Sequence, residues 1–409
     1  MDARKYGQTD CGVFNRVKKI AFYMSNMKIA GVEVALCNYI NFLYEHFNNI
    51  EIHLFLLKKE GDLLNRLNSK CVIHEIQISE NDSKLIFMGG FKKTLFYYLK
   101  HLKLLSAAKI IIRRIVFKRL DWDLVNIENA KIEDKTFFDC AVCYMAHMPY
   151  LLKLVAERAN SKYKILFIHN DFKTAHYNLR LLSKYVEKYQ KYCCVSQDIL
   201  NQFVKMFPER KKESIILHNT IPYEKYFLMS EEFEPNIKDN VRFKILTVGT
   251  INFRKGYDIA VKAAKKLTKK TKDFVWVFVG DGPLKEKLTK KIKQHRLDNN
   301  VIFFGHTNNP YPFFKWCNTY VQPSRSEGYC TAVLEAKLFQ KRIITSNTTG
   351  MDELLNDYGA GMIIDKKLPQ KYAEAILNIN ENGLCYNFKP KQYVDEILQN
   401  SIDLFSIFR

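Results

Sequence analysis

The stretch TYVQPSRSEGYCTAVLEA, Thr319 to Ala336, decides how this 409-residue chain is read. TYVQPS is a short apolar strand, the loop after it carries Gly328, and TAVLEA reads as the start of a helix. A glycine there lets backbone approach a ligand closely, and the amides of Tyr329 to Thr331 are free at the helix start. Glu327 lies in the loop. Glu335 is expected about two turns into the helix, directed back toward its N-terminus. Both carboxylates are therefore expected to face one pocket. Carboxylates also simply suit the positive end of a helix dipole, and two glutamates at this spacing arise often by chance. Their position immediately after a strand is what gives them weight.

The same strand-then-helix pattern extends in both directions. FKILTVG, DFVWVFVG, VIFFG, TYVQPS, RIITSN and GMIID are strands of one series. KKIAFYM, IEIHLFLL, CVIHEIQI, FFDCAVCYM, YKILFIHN, YCCVSQDI and SIILHN form an earlier one, with helical sequence after most of them. In VEVALCNYINFLYEHF, for example, Val32, Leu36, Ile40, Leu43 and Phe47 recur at helical spacing. Strands alternating with helices imply parallel sheets covered on both faces. The acidic, non-periodic TIPYEKYFLMSEEFEPNIKDN separates the two series. The expected class is α/β, with two doubly wound, Rossmann-like domains facing a cleft. Residues 1–220 form the first domain, 221–240 an irregular linker, 241–385 the second domain, and 386–409 a helical segment crossing back.

Composition narrows the partners. Apolar residues make up 47%, enough for two packed cores, and the longest greasy runs carry charges, so no membrane span is expected. MDARKYGQTDCGVF lacks the apolar core of a signal peptide, and the ten scattered cysteines suggest reduced thiols in a cytoplasmic protein. Cys140 and Cys143 form a CxxC inside a strand, where positions three apart face opposite sides, and no metal site is expected. The net charge of +21 favours an anionic partner. From Ser83 to Leu120 there is no Asp or Glu, and FKKTLFYYLKHLKLLSAAKIIIRRIVFKRL mixes basic with apolar residues. This segment either lies on an anionic membrane, such as the inner face of the plasma membrane, or packs its apolar side on its own domain. Nucleic acid is not an expected partner, because no nucleic-acid-binding motif accompanies the basic residues.

Ligands of doubly wound sheets bind beyond the carboxyl ends of strands, so the residues there carry the chemistry. After FKILTVG comes TINFRKG, which places Arg254 and Lys255 beside a helix starting near Gly256. Two cations at a helix N-terminus make a phosphate site, or else are solvated charges in a basic chain. After VIFFG come His306 and Thr307, which either meet a ligand edge or are polar loop residues.

VGTINFRKGYD, VFVGDGPLKEKL, VIFFGHT, VQPSRSEGYCTAVLEA and RIITSNTTGMDELL together resemble the second domain of retaining glycosyltransferases of family 4, which have the GT-B fold. The likeness is strong from Phe243 to Leu355. AGVEVAL, FIHND and CCVSQDI extend it into the first half, in the manner of bacterial capsule and surface-polysaccharide enzymes. The resemblance implies that Glu335 accepts hydrogen bonds from the ribose hydroxyls of a nucleotide sugar, a UDP-hexose being the expected donor. It implies that Glu327 contacts the donor sugar, and that Lys255 with the amides around Cys330 and Thr331 holds the diphosphate. Gly31 lets the first domain approach that diphosphate. His169 faces sugar and acceptor, with His147 a second candidate. The family often has Gly-Arg where this chain has Gly249-Thr250, and Arg254 is expected to compensate. Ala30 stands where the family has the first glycine of a pair.

With both glutamates assigned to donor hydroxyls, a covalent glycosyl-enzyme is not expected, and front-face transfer by preorganised electrostatics fits better. No acidic cluster sits at a strand end, so catalysis is expected to need neither metal nor cofactor. The acceptor is expected to be a polyprenyl-diphosphate-linked or other glycan. A GT-B epimerase or phosphorylase is one alternative. Another, of a different class, is a non-catalytic basic protein that binds membrane or nucleic acid on the same scaffold.

Overall fold

The computed structural model describes residues 16–87, 91–116, 130–175, 177–356, 358–365, 368–378 and 386–408. The first sheet comprises β1 (Lys18–Met24), β2 (Ile50–Leu56), β3 (Val72–Glu75), β4 (Phe138–Cys143), β5 (Ser161–Ile168), β6 (Lys191–Cys194) and β7 (Ser214–Ile216), in the order β3-β2-β1-β4-β5-β6-β7. The second comprises β8 (Phe243–Val248), β9 (Phe274–Val279), β10 (Val301–Gly305), β11 (Thr319–Gln322), β12 (Arg342–Ser346) and β13 (Gly361–Ile364), in the order β10-β9-β8-β11-β12-β13. All ladders within both sheets are parallel. Central strands such as β4, FDCAVC, and β9, FVWVFV, are buried at every position, as sheets covered on both faces require. The fold is two doubly wound α/β domains of the GT-B type.

In each sheet the winding reverses once, between β1 and β4 and between β8 and β11. A crevice opens at the carboxyl ends of strands where helices depart to opposite faces. The helix after β1, Gly31–His46, buries Leu36, Ile40 and Leu43, the apolar stripe expected from spacing. The helix Pro390–Phe405 packs back on the first domain. Its Tyr393 donates to the carbonyl of Asn219 at 2.8 Å, and Phe405 meets Phe47 edge-on with centroids 6.3 Å apart.

Two expectations change. The stretch expected as irregular linker contains a helix, Tyr223–Ser230. Its Tyr226 is buried and stacks on Tyr311 with centroids 4.0 Å apart, and Phe227 meets Phe339. Two aromatic anchors docked on the second domain stabilise a helix whose flanking charges hide its period. Glu335 lies just over one turn into its helix, Thr331–Leu338, rather than about two, because the segment before Thr331 is extended, with Cys330 as N-cap.

The eight described cysteines are free and buried, Cys140 and Cys143 among them. Of the basic segment, helices Phe91–Lys100 and Leu104–Val116 are described, and residues 88–90 and 117–120 lie outside the described residues. Among the described residues no helix is long and apolar enough to cross a membrane.

One glycine is decisive for placing β8 against β11. Gly256 caps the helix Tyr257–Leu267 at φ +71°, and a Cβ there would lie 1.8 Å from the carbonyl oxygen of Pro323. Gly305 also has positive φ, +102°, but a Cβ there meets nothing within 4 Å. Left-handed strain alone costs about 1–3 kcal/mol. Gly256→Ala should therefore lower the melting temperature clearly more than Gly305→Ala. Equal losses in a thermal-unfolding comparison would show that the Pro323 contact is not limiting.

Candidate active site

The loop Pro323–Cys330 leaves β11 and the loop Gly249–Gly256 leaves β8, so both open on the crevice of the second sheet. Between them the carboxylate of Glu327, 5% exposed, is held from three sides. Lys255 Nζ donates to Oε1 at 2.8 Å, Arg254 donates to Oε2 at 3.1 Å, and Ser324 Oγ donates to Oε1 at 2.5 Å. Burial works against the charge, but Lys255 and then Arg254 outweigh it and hold this carboxyl below its ordinary range. Lys255 is positioned in turn by its own amide, which donates to Asn252 Oδ1 at 3.0 Å.

Glu335 is buried too, but with a different outcome. Its described partner is the hydroxyl of Tyr311, at 3.4 Å. Burial dominates and pushes its pKa up to about 8. The two glutamates of one segment are thus set apart in charge by their neighbours.

The first domain closes on this loop from across the cleft. A Cβ on Gly328 would lie 1.9 Å from the carbonyl oxygen of His169, so only glycine fits. A Cβ on Gly31 would lie 3.7 Å from Thr331 Oγ1, which brings the N-termini of the helices Gly31–His46 and Thr331–Leu338 face to face. His169 follows β5. Its ring packs on Tyr144 with centroids 4.4 Å apart, and its buried Nε2 lacks a hydrogen-bond partner among the described residues. Burial, then His147, lowers its pKa to about 3. His147 follows β4 and contacts Asn170 at 3.0 Å. Burial and the Arg254 charge lower it to about 4, so both imidazoles are neutral near pH 7.

Most of the residues expected at the site therefore converge. Arg254, Lys255 and Glu327 form one cluster, with Gly328 and His169 in backbone contact and Gly31 opposite Thr331. Cys330 is the N-cap of its helix, and burial pushes its thiol up to about 11, so it is not a thiolate near neutral pH. Thr307 spends its hydroxyl within its own loop, donating to the carbonyl of Asn309 at 3.2 Å. His306 lies beside Asp281. Neither contacts the Glu327 cluster.

Sequence reasoning missed several supports. Ser324 was legible only as a loop serine. Tyr311 lies sixteen residues before Glu327, in the helix Tyr311–Trp316. Asp171 accepts from Thr349 across the cleft, as well as from Gln202 at 3.0 Å, and Glu353 bridges the amide of Gln197 at 2.7 Å and His218 at 2.6 Å. The only local signal for Asp171 was its place after β5, within FIHND.

Comparison with known proteins bears on the fold and the family. Residues 229–396 match the family described as glycosyl transferases group 1. The match covers the second domain, and the whole chain shares the two-domain fold of solved glycosyltransferases. A crystal structure of S. aureus TarM in complex with fondaparinux, alpha-GlcNAc-glycerol and UDP superposes with a TM-score of 0.64 at 12% identity, covering 95% of this chain and 100% of that one. The N-acetylgalactosamine-N,N'-diacetylbacillosaminyl-diphospho-undecaprenol 4-alpha-N-acetylgalactosaminyltransferase of Campylobacter jejuni is 24% identical over 354 residues, covering 85% of this chain and 86% of the relative. The uncharacterized glycosyltransferase MJ1059 of Methanocaldococcus jannaschii is 28% identical over 218 residues, and the match spans 50% of this chain and 53% of that protein.

The raised pKa of Glu335 has a thermodynamic consequence. From the ordinary value of 4.5 up to about 8 the folded protein holds a proton that the unfolded chain has released. Stability from this group is fully present below pH 4.5 and is lost as pH rises toward about 8. Glu335→Gln removes the loss, so its melting temperature relative to the parent should climb steadily between pH 5 and 8. A constant difference across that range would show that Glu335 is ionised in the folded state.

Proposed function

We propose that this protein is a retaining glycosyltransferase that moves a hexose from a UDP-sugar to a lipid-linked or other glycan acceptor in the synthesis of a surface polysaccharide. The observation that carries the reading is the buried Glu327 carboxylate paired with Lys255 and Arg254 at the β8/β11 reversal, facing His169 and Gly31 of the opposite domain. Two cations beside a free helix N-terminus suit a diphosphate. The UDP bound by S. aureus TarM and the diphospho-undecaprenol in the name of the Campylobacter jejuni relative support the donor and acceptor classes.

In this reading Glu335 takes the ribose hydroxyls, with Tyr311 beside it. Lys255, Arg254 and the amides at Cys330 and Thr331 take the diphosphate, and Glu327 then turns its oxygens to the sugar. The sugar–phosphate bond breaks with its electron pair going to the diphosphate. The acceptor oxygen attacks the same face of the sugar carbon, and its proton passes to the departing phosphate oxygen. His169, neutral and with its Nε2 unpaired, orients sugar and acceptor. Neither a metal ion nor a cofactor takes part.

A second feature favours a membrane-bound acceptor. Tyr98 and Ala107 form a small core of their own between the helices Phe91–Lys100 and Leu104–Val116. Outside it, Leu102 and Leu105 are more than 80% exposed, with Phe96, Leu104 and Ile112 exposed nearby. Lys100 and Lys109 are exposed on the same helices, and Lys103 in the connection between them. Apolar side chains among lysines suit the boundary of an anionic leaflet on the cytoplasmic side.

Calorimetry with UDP-, GDP- and ADP-sugars should give heat with a UDP-sugar. Glu335→Ala and Arg254→Ala should each raise the donor KM about tenfold or more, and added Mg²⁺ or Mn²⁺ should not raise turnover. No heat from any activated sugar would sink the reading, and an unchanged KM in Arg254→Ala would remove that residue from the site. At low salt the protein should float with vesicles containing anionic lipid, and Leu102→Ser with Leu105→Ser should reduce flotation. Protein remaining wholly in the supernatant would remove the membrane assignment.

A further inference from the structure

A second cluster of chemistry lies away from the carboxyl ends of the strands. His53 stands in β2, His74 in the neighbouring edge strand β3, and Asp134 in the stretch that leads into β4. His53 Nδ1 lies 2.8 Å from His74 Nε2 and 3.0 Å from Asp134 Oδ2, and His74 Nε2 lies 3.3 Å from the same oxygen. These distances gather one nitrogen of each ring and a carboxylate oxygen into one region. His53 is buried, and Phe138 presses its edge on the ring at 5.0 Å while Phe55 lies on His74 at 4.5 Å. Neither ring is a loosely held surface group.

With both rings neutral, the protons do not satisfy this triangle. His53 Nε2 lies 2.8 Å from Glu51 Oε1, so a neutral His53 keeps its proton there. Its Nδ1 is then a lone pair, and it faces both a second imidazole and a carboxylate oxygen. A proton on His74 Nε2 serves one of these contacts and leaves the lone pair against the charge of Asp134. A divalent cation satisfies all three donors together. Imidazole bound through one nitrogen, with a carboxylate on the other, is how metal-ligating histidines are fixed in tautomer and direction.

We propose that His53, His74 and Asp134 form a zinc site, with Glu51 positioning His53. Two imidazoles and one carboxylate suit Zn²⁺ among common divalent ions. Donors at about 2.0–2.1 Å from zinc lie about 3.3 Å from one another in a tetrahedron. The observed separations of 2.8, 3.0 and 3.3 Å need only small outward shifts. A pocket of about 200 Å³ opens on His74 and Asp134 between Ile73, Glu75, Ile132 and Glu133. It admits water to complete the coordination and gives the ion a path in.

The ion's role is mechanical. The chain leaves β3 for the basic helices and returns through residues 130–137 to β4, and an antiparallel bridge pairs Gln77 with Lys131 where departure and return meet. Zinc at His53, His74 and Asp134 clips both ends of this excursion to the sheet edge. The site is independent of the proposed transferase reaction, and its test does not read activity.

The test is a Zn²⁺ titration of the full chain after removal of metal by chelator, read by calorimetry and by competition with a chromophoric chelator. We expect one Zn²⁺ per chain at micromolar Kd or tighter, and a melting temperature several degrees higher with zinc. His74→Ala and Asp134→Ala should each weaken binding at least tenfold, Glu51→Gln about tenfold, and Glu133→Ala, beside the site, should leave it unchanged. His74 is only half-buried, so its variant keeps the test open should His53→Ala fail to fold. No stoichiometric uptake, or an isotherm unchanged in both His74→Ala and Asp134→Ala, overturns the proposal and leaves a hydrogen-bonded histidine pair.

Discussion

The second domain's site depends on one buried charge. Glu327 is almost wholly removed from water, and a carboxylate there is tolerable only because Lys255, Arg254 and Ser324 satisfy both of its oxygens. That requirement couples the loop after β8 to the loop after β11. It also holds two cations at the mouth of a helix without any ligand present. The cluster is thus preorganised for an anion, since the cations exchange one anionic partner for another rather than being ordered afresh.

The second constraint is the spacing of the domains. Gly328 touches the carbonyl of His169, Gly350 lies against the carbonyl of Gly328, and Ser196 donates to that same carbonyl at 3.2 Å. Asp171 with Thr349, Asp198 with the amide of Gly350, and Glu353 with Gln197 and His218 extend the seam. Polar pairs dominate this seam, while the apolar stacks of Tyr226 on Tyr311 and Phe405 on Phe47 lie on the connecting segments. Such an arrangement fixes the two loops face to face, with Tyr329 stacked on His218 across the same seam.

Zinc at the far edge of the first sheet and the transferase chemistry at the cleft use the same kind of device. In both, a fixed neighbour sets the direction of a buried polar group. Glu327 and Glu335 show how strongly neighbours decide. They share a segment and a degree of burial, yet one is held ionised by two cations and the other is pushed up to about 8.

The strand runs, the helix after β1 and the family blocks from Phe243 to Leu355 were legible because buried parallel strands are continuous apolar runs and because the loops after them carry unusual residues. Arg254, Lys255, Glu327, Gly328 and Glu335 could be named from those positions alone. The helix Tyr223–Ser230 was not legible, since its anchors are aromatic contacts of Tyr226 with Tyr311 and of Phe227 with Phe339, far along the chain, and not a local period. His53 and His74 stand singly in separate strands with no local motif, and only the pairing of β2 with β3 and the return of residue 134 bring them together. The sequence by itself determined the strand runs, their order and the residues that follow each strand, because these follow from local hydrophobic pattern. Which side chains share a charge, and therefore which are ionised, was decided only by the tertiary structure, because electrostatic partners and desolvation depend on distances that sequence separation does not encode.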